Sequence, residues 1–136
     1  MTRKWRIFAR SLLVWACLLG LAITNGALRE GLLDPVLGAV PGTLISGLAL
    51  AGLIFAATYV SLPWIGARTV GELLLIGFGW LALTVSFEFS FGLLRGIPLQ
   101  DLVAAYRFEG GNIWPLILAV TVVSPWITAK LRGLIE

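Results

Sequence analysis

The chain is built from long apolar stretches separated by short polar breaks. Four stretches stand out, at residues 7–28, 42–62, 71–94 and 112–129. Each is roughly 18–24 residues, enough at 1.5 Å per residue to cross a hydrocarbon core of about 30 Å. Apolar residues run continuously through them without strict alternation, which selects helices over barrel strands. In lipid only these two solutions satisfy the backbone internally. The pattern predicts an all-α polytopic membrane protein, a single domain folded as a bundle of four transmembrane helices. A shorter pattern follows the third stretch. Leu99, Leu102, Val103 and Tyr106 share one helical face, opposite Gln100, Asp101, Ala104 and Arg107. It predicts a short amphipathic helix on the outer surface, stopped by Gly110-Gly111-Asn112.

Composition strengthens this picture. Of 136 residues, 59% are hydrophobic and 12% charged, with a mean hydropathy of +0.97. Soluble domains are nearer 45–50% and about 25%, and so short a chain has too little interior to hide the excess. The first stretch also reads as a signal peptide, with Arg3, Lys4, Arg6 and Arg10 as its charged leader. Asn25-Gly26-Ala27 does not supply small residues at both cleavage positions, so a retained membrane helix is expected.

The net charge is +3. Its ten basic residues lie beside the apolar stretches with no dense patch of interleaved aromatics, so nucleic acid is not an expected partner. Arg3, Lys4, Arg6, Arg10, Arg68, Lys130 and Arg132 fall on one side, and Arg29, Arg95 and Arg107 on the other. Basic residues in short loops stay cytoplasmic. Both termini are therefore expected in the cytoplasm, in a bacterial inner membrane. Trp64, Arg68, Trp126 and Lys130 are the expected interface anchors. The chain has no histidine and one cysteine, Cys17. This composition offers no zinc set of the usual kind, no haem histidine and no Ser-His-Asp triad. Neither a metal nor a cofactor is expected.

The two halves resemble each other. Val60-Ser61-Leu62-Pro63-Trp64-Ile65-Gly66-Ala67-Arg68 and Val123-Ser124-Pro125-Trp126-Ile127-Thr128-Ala129-Lys130 both read V-S, then P-W-I-x-A and a basic residue. Gly26-Ala27-Leu28-Arg29 and Gly92-Leu93-Leu94-Arg95 both read G-x-L-R. Convergent interface chemistry explains such matches too, since proline stops a helix and Trp with a basic residue anchors it. Their order and spacing favour a duplicated hairpin, with halves at about residues 1–68 and 69–136. Both halves enter from the same side, which predicts parallel repeats related by rotation about the membrane normal.

Glu88 is the one acidic residue flanked by long apolar runs. It lies sixteen positions after Glu72, roughly 24 Å along a helix, and so near the outer boundary. Gly77, Leu81, Thr84, Glu88, Gly92 and Arg95 follow helical spacing along one face, which should turn toward other helices. Asn25 and Arg29 lie at matching depth on the first helix. Arginine suits a poorly hydrated carboxylate because its fork donates two hydrogen bonds. Glu88 is thus expected to pair with Arg29 first and Arg107 second. The candidate cluster is Glu88, Arg29, Asn25, Thr84, Arg95 and Arg107. It reads as a structural salt bridge, or as a ligand or ion site.

The run from Glu72 to Gly92, with Phe87-Glu88-Phe89, and the later Gly111-Asn112-Ile113-Trp114 resemble small uncharacterised bacterial four-span membrane proteins. The resemblance covers the second half and implies a four-helix bundle with no assigned activity. Small multidrug transporters are similar in size, but they carry an essential Glu in the first helix, where this chain has none. The expected function is a non-catalytic bundle that binds lipid, a larger membrane partner or a second copy of itself. A small oligomeric transporter or channel subunit using the Glu/Arg site is the alternative, and no nucleophile–base pair speaks for an enzyme.

Overall fold

A computed structural model describes residues 2–108 and 112–135. Helix α1 spans Arg3–Leu28, opened by Thr2, whose hydroxyl accepts from the Trp5 N–H at 3.2 Å. It runs on through a π-helical turn, Arg29–Leu33, into a short α2, Asp34–Leu37. Gly38, at φ +94°, reverses the chain in a conformation that side-chain-bearing residues avoid. Helix α3 covers Ala39–Ile65 and ends at Gly66, also left-handed at φ +90°. Thr69 and Glu72 form a reciprocal capping box that starts α4, Val70–Leu94. A six-residue α5, Leu99–Ala104, precedes α6, Trp114–Leu131. The Gly110-Gly111 stop expected for the amphipathic helix lies outside the described residues.

Four helices are long and apolar enough to cross a membrane: α1 with its continuation to Leu37, α3, α4 and α6. Their outward faces carry large apolar side chains that water would not tolerate in such number. Leu75 is 76% exposed and Val60 74%. The amphipathic α5 is shorter than its pattern. Leu102 and Tyr106 face the bundle, while Leu99 and Val103 remain exposed.

Proline does not end either helix where the sequence suggested. Helix α3 continues past Pro63 to Ile65, and α6 continues from Pro125 to Leu131. Proline removes one N–H and crowds one carbonyl, yet helices in apolar surroundings tolerate it where neighbouring groups re-satisfy the backbone. In α3 the carbonyl that Pro63 leaves without its helical donor, that of Tyr59, accepts from Arg132 Nη1 at 2.7 Å.

The helices form a ring. α1 packs on α3 and α4, and α6 packs on the other sides of both. Thus α1 stands diagonally from α6, and α3 from α4. The ring has two distinct ends. One gathers Arg3, Trp64, Arg68, Glu72, Trp126 and Lys130 (the basic end); the other holds Arg29, Glu88 and α5. The tightest packing lies toward the basic end, where Leu62, Ile65, Leu73, Thr58, Ser124, Pro125 and Thr128 are almost wholly buried. There α4 approaches α6 so closely that a Cβ on Gly77 would collide with the Val122 carbonyl. Toward the far end the helices separate around a cavity.

The α1–α4 seam is bridged by side chains. Arg3 binds Glu72 through both oxygens at 2.6 and 2.9 Å. Trp80 Nε1 donates to the Ser11 carbonyl at 3.0 Å, and Trp15 Nε1 donates to Thr84 Oγ1 at 3.0 Å. All three pairs are separated by 69 positions, so the two helices run parallel in one register.

Candidate functional site

The cavity at the far end has a volume of about 400 Å³ and is walled by residues of α1, α3, α4 and α6. Most of its lining is aliphatic or aromatic. Its polar groups include Asn25, Arg29, Ser46, Thr84, Glu88 and Asn112. Four of these belong to the cluster read from the sequence: Glu88, Arg29, Asn25 and Thr84. Arg95 and Arg107 do not join them. The Arg95 guanidinium lies over the Phe91 ring at 5.4 Å, and both arginines are exposed.

Glu88 projects from α4 on the face that also carries Thr84 and Gly92. One of its oxygens, Oε2, accepts from the Tyr106 hydroxyl at 2.5 Å and from Trp114 Nε1 at 3.2 Å. Both donors come from sequence beyond α4. Tyr106 is placed because α5 folds back over the end of α4. Leu102 packs directly on Gly92, where an added Cβ would push the leucine side chain aside, and the Tyr106 ring stacks on Phe89 at 5.7 Å. Burial, then the adjoining carboxylate, pushes the Tyr106 phenol above its ordinary range and keeps it a donor. Trp114 is placed by Asn112. The Asn112 Oδ1 accepts from the Trp114 N–H at 3.2 Å, and its Nδ2 donates to the carbonyls of Ala105 and Arg107, each at 2.7 Å.

The expected Glu88–Arg29 pair is therefore corrected. Among the described residues Glu88 contacts no arginine, and Arg29 lies 3.9 Å from Glu30. The cause is the chain path. Helix α1 does not stop near Leu28 but continues through the π-helical turn, which carries Arg29 along the wall and leaves Glu88 to donors from the α5 side. Arg107, the second expected partner, is turned outward because its segment is pinned by its own carbonyl to Asn112.

Asn25 has a structural job. Its Oδ1 accepts from the Ser46 hydroxyl, and its Nδ2 donates to the Ser46 carbonyl at 3.1 Å, which fastens α1 to α3 beside the cavity. Thr84 donates to the Trp80 carbonyl at 2.8 Å while accepting from Trp15. At the basic end, Arg10 lies over Trp64 and Lys130 over Trp126, each at 4.9 Å. The Arg68 N–H donates to Glu72 Oε1 at 3.1 Å.

Three site residues escaped the sequence reading: Tyr106, Asn112 and Trp114. Each left a signal. Tyr106 shares a helical face with Leu102, and Asn112 precedes a Trp-Pro helix start, where a side-chain cap is favoured. The Arg3–Glu72 pair left none, because it depends on α1 and α4 being neighbours. Among the described residues no group of three or more His, Cys, Asp or Glu gathers as metal ligands would. Comparison of the chain with protein-family models, curated proteins and solved structures finds no match.

Proposed function

We propose that this protein is a non-catalytic bundle of a bacterial inner membrane, with its basic end cytoplasmic, that holds a membrane amphiphile in the cavity at its far end. The observation that carries this reading is the cavity itself. It is walled by all four long helices, largely apolar, and carries polar groups around Glu88, at the depth where headgroups meet hydrocarbon. Ligand sites typically have this make-up, an apolar wall with a few converging polar groups. The residues around Glu88 act as hydrogen-bond donors and rings, which suit holding a molecule.

The test is to purify the protein in mild detergent and measure retained lipid by native mass spectrometry. About one amphiphile per chain is expected to survive purification. Gly26 lines the cavity, and a side chain begun there meets no atom within 4 Å. Gly26→Phe should fill the space and remove the retained lipid while leaving thermal stability intact. A chain that retains nothing, or a variant that retains as much as the parent, overturns the reading. Solute flux through reconstituted protein that depends on Glu88 would replace it with the small-transporter alternative.

A further inference from the structure

The cavity presents two opposite charges that do not meet. Glu88 and Arg29 both line it, yet the ion pairs among the described residues are Arg3–Glu72 and Arg29–Glu30. Glu30, the neighbour of Arg29, points outward with its side chain 76% exposed, and its contact is long at 3.9 Å. Glu88 holds its neutral donors unevenly. Both Tyr106 and Trp114 donate to Oε2, and among the described residues none donates to Oε1. Oε1 is also not sealed, since the buried side-chain oxygen lacking a partner is Asp34 Oδ1 elsewhere. An accessible carboxylate oxygen in a largely apolar cavity calls for a cationic donor. The indoles of Trp15 and Trp114 and the ring of Phe87 form the wall near it, and aromatic faces attract organic cations.

Building on the cavity reading above, we propose that the amphiphile is a phospholipid with a primary-ammonium headgroup, of the phosphatidylethanolamine kind. Its ammonium donates to Glu88 Oε1 against the tryptophan rings, its phosphate takes the Arg29 guanidinium, and its upper chain lies along the apolar wall. The three parts match the cavity's three chemistries. A phosphatidylglycerol headgroup offers the phosphate but no cation. A phosphatidylcholine headgroup offers a cation without an N–H to donate, and so satisfies the rings but not the carboxylate. Arg29 suits the phosphate because its fork makes paired hydrogen bonds.

The experiment titrates delipidated full-length protein with each lipid in mixed micelles, read by native mass spectrometry. The ethanolamine lipid should bind about tenfold more tightly than the glycerol lipid, the choline lipid falling between, as one charged hydrogen bond implies. Glu88→Gln keeps an acceptor for Tyr106 and Trp114 and should erase that preference. Arg29→Gln should weaken ethanolamine and glycerol lipids alike. The lipid series on unaltered protein needs no variant to fold, so the test stands if either variant does not. Equal binding of all three lipids overturns the headgroup assignment while leaving the cavity reading intact. Failure of any lipid to bind, with Gly26→Phe silent, overturns both. Soluble O-phosphoethanolamine binding as tightly as the lipid would make the ligand a solute and overturn the lipid assignment.

Discussion

Glu88 shows what the sequence could and could not say at the level of single residues. Its spacing with Thr84 and Gly92 put it on a polar face of a long helix, and that face does turn inward. Its partner was not legible. Arginine is the better partner by chemistry alone, but partner choice also depends on where the chain goes after each helix. A π-helical turn carries Arg29 along the wall, and the fold-back of α5 delivers Tyr106. Tyr106 thus joins α5 to α4 through one hydroxyl, over the contact of Leu102 on Gly92. Tyr106→Phe keeps the stacking on Phe89 and removes only that donor. It should cost about 1.5–3 kcal/mol, the range for a hydrogen bond to a charged group. Hydrogen exchange should read it as faster exchange confined to residues 99–107, with the α1–α3 contact at Asn25 and Ser46 unchanged. Unaltered exchange in α5 would mean that the packing of Leu102 alone holds it down.

At the scale of helices, length and hydropathy were legible because lipid imposes a direct demand on both. The boundaries drifted by a few residues. The stretch at 42–62 became Ala39–Ile65, and the one at 112–129 became Trp114–Leu131. The proline positions misled for a physical reason, since the Tyr59 carbonyl that Pro63 leaves without its helical donor is taken by Arg132 at the end of α6. The glycines likewise divide only in three dimensions. Gly77 and Gly79 sit two positions apart in one helix and read alike in sequence. A Cβ at Gly77 collides with the Val122 backbone carbonyl, whereas one at Gly79 meets nothing within 4 Å. Backbone yields far less than a flexible side chain, so Gly77→Ala must separate α4 from α6. We expect it to destabilise the bundle by about 1–3 kcal/mol, the range for overpacking a close contact. Gly79→Ala should be neutral or slightly stabilising, since alanine favours a helix interior. Thermal unfolding of both variants in one detergent separates them, and equal midpoints would show that α4 and α6 are not so closely joined.

The arrangement of the whole molecule was legible only as far as charge could carry it. The ring order, with α1 diagonal to α6, rests on which small residues and side chains meet across helices, and no periodicity encodes that. The sorting of charge survives the change of scale. Arg3, Lys4, Arg6, Arg10, Arg68, Lys130 and Arg132 all lie at one end of the bundle, and Arg29, Arg95 and Arg107 at the other. The excess at one end is reinforced by cation–aromatic pairs, Arg10 over Trp64 and Lys130 over Trp126. Such pairs hold both the ring and the charge at headgroup depth. Basic residues near short loops resist translocation, so the basic end should remain cytoplasmic. A reporter active only in the cytoplasm, fused after Arg68, should be active, and the same reporter fused after Gly38 should be silent. The orientation should also be reversible by charge. Neutralising Arg3, Lys4, Arg6 and Arg10 while adding arginines beside Gly38 removes the largest basic group and builds a rival at the opposite end. The two fusions should then exchange their signals in part of the population. Matching activity at both sites in the parent chain would overturn the four-span arrangement. Fixed signals in the recharged chain would show that something other than the basic asymmetry sets its orientation.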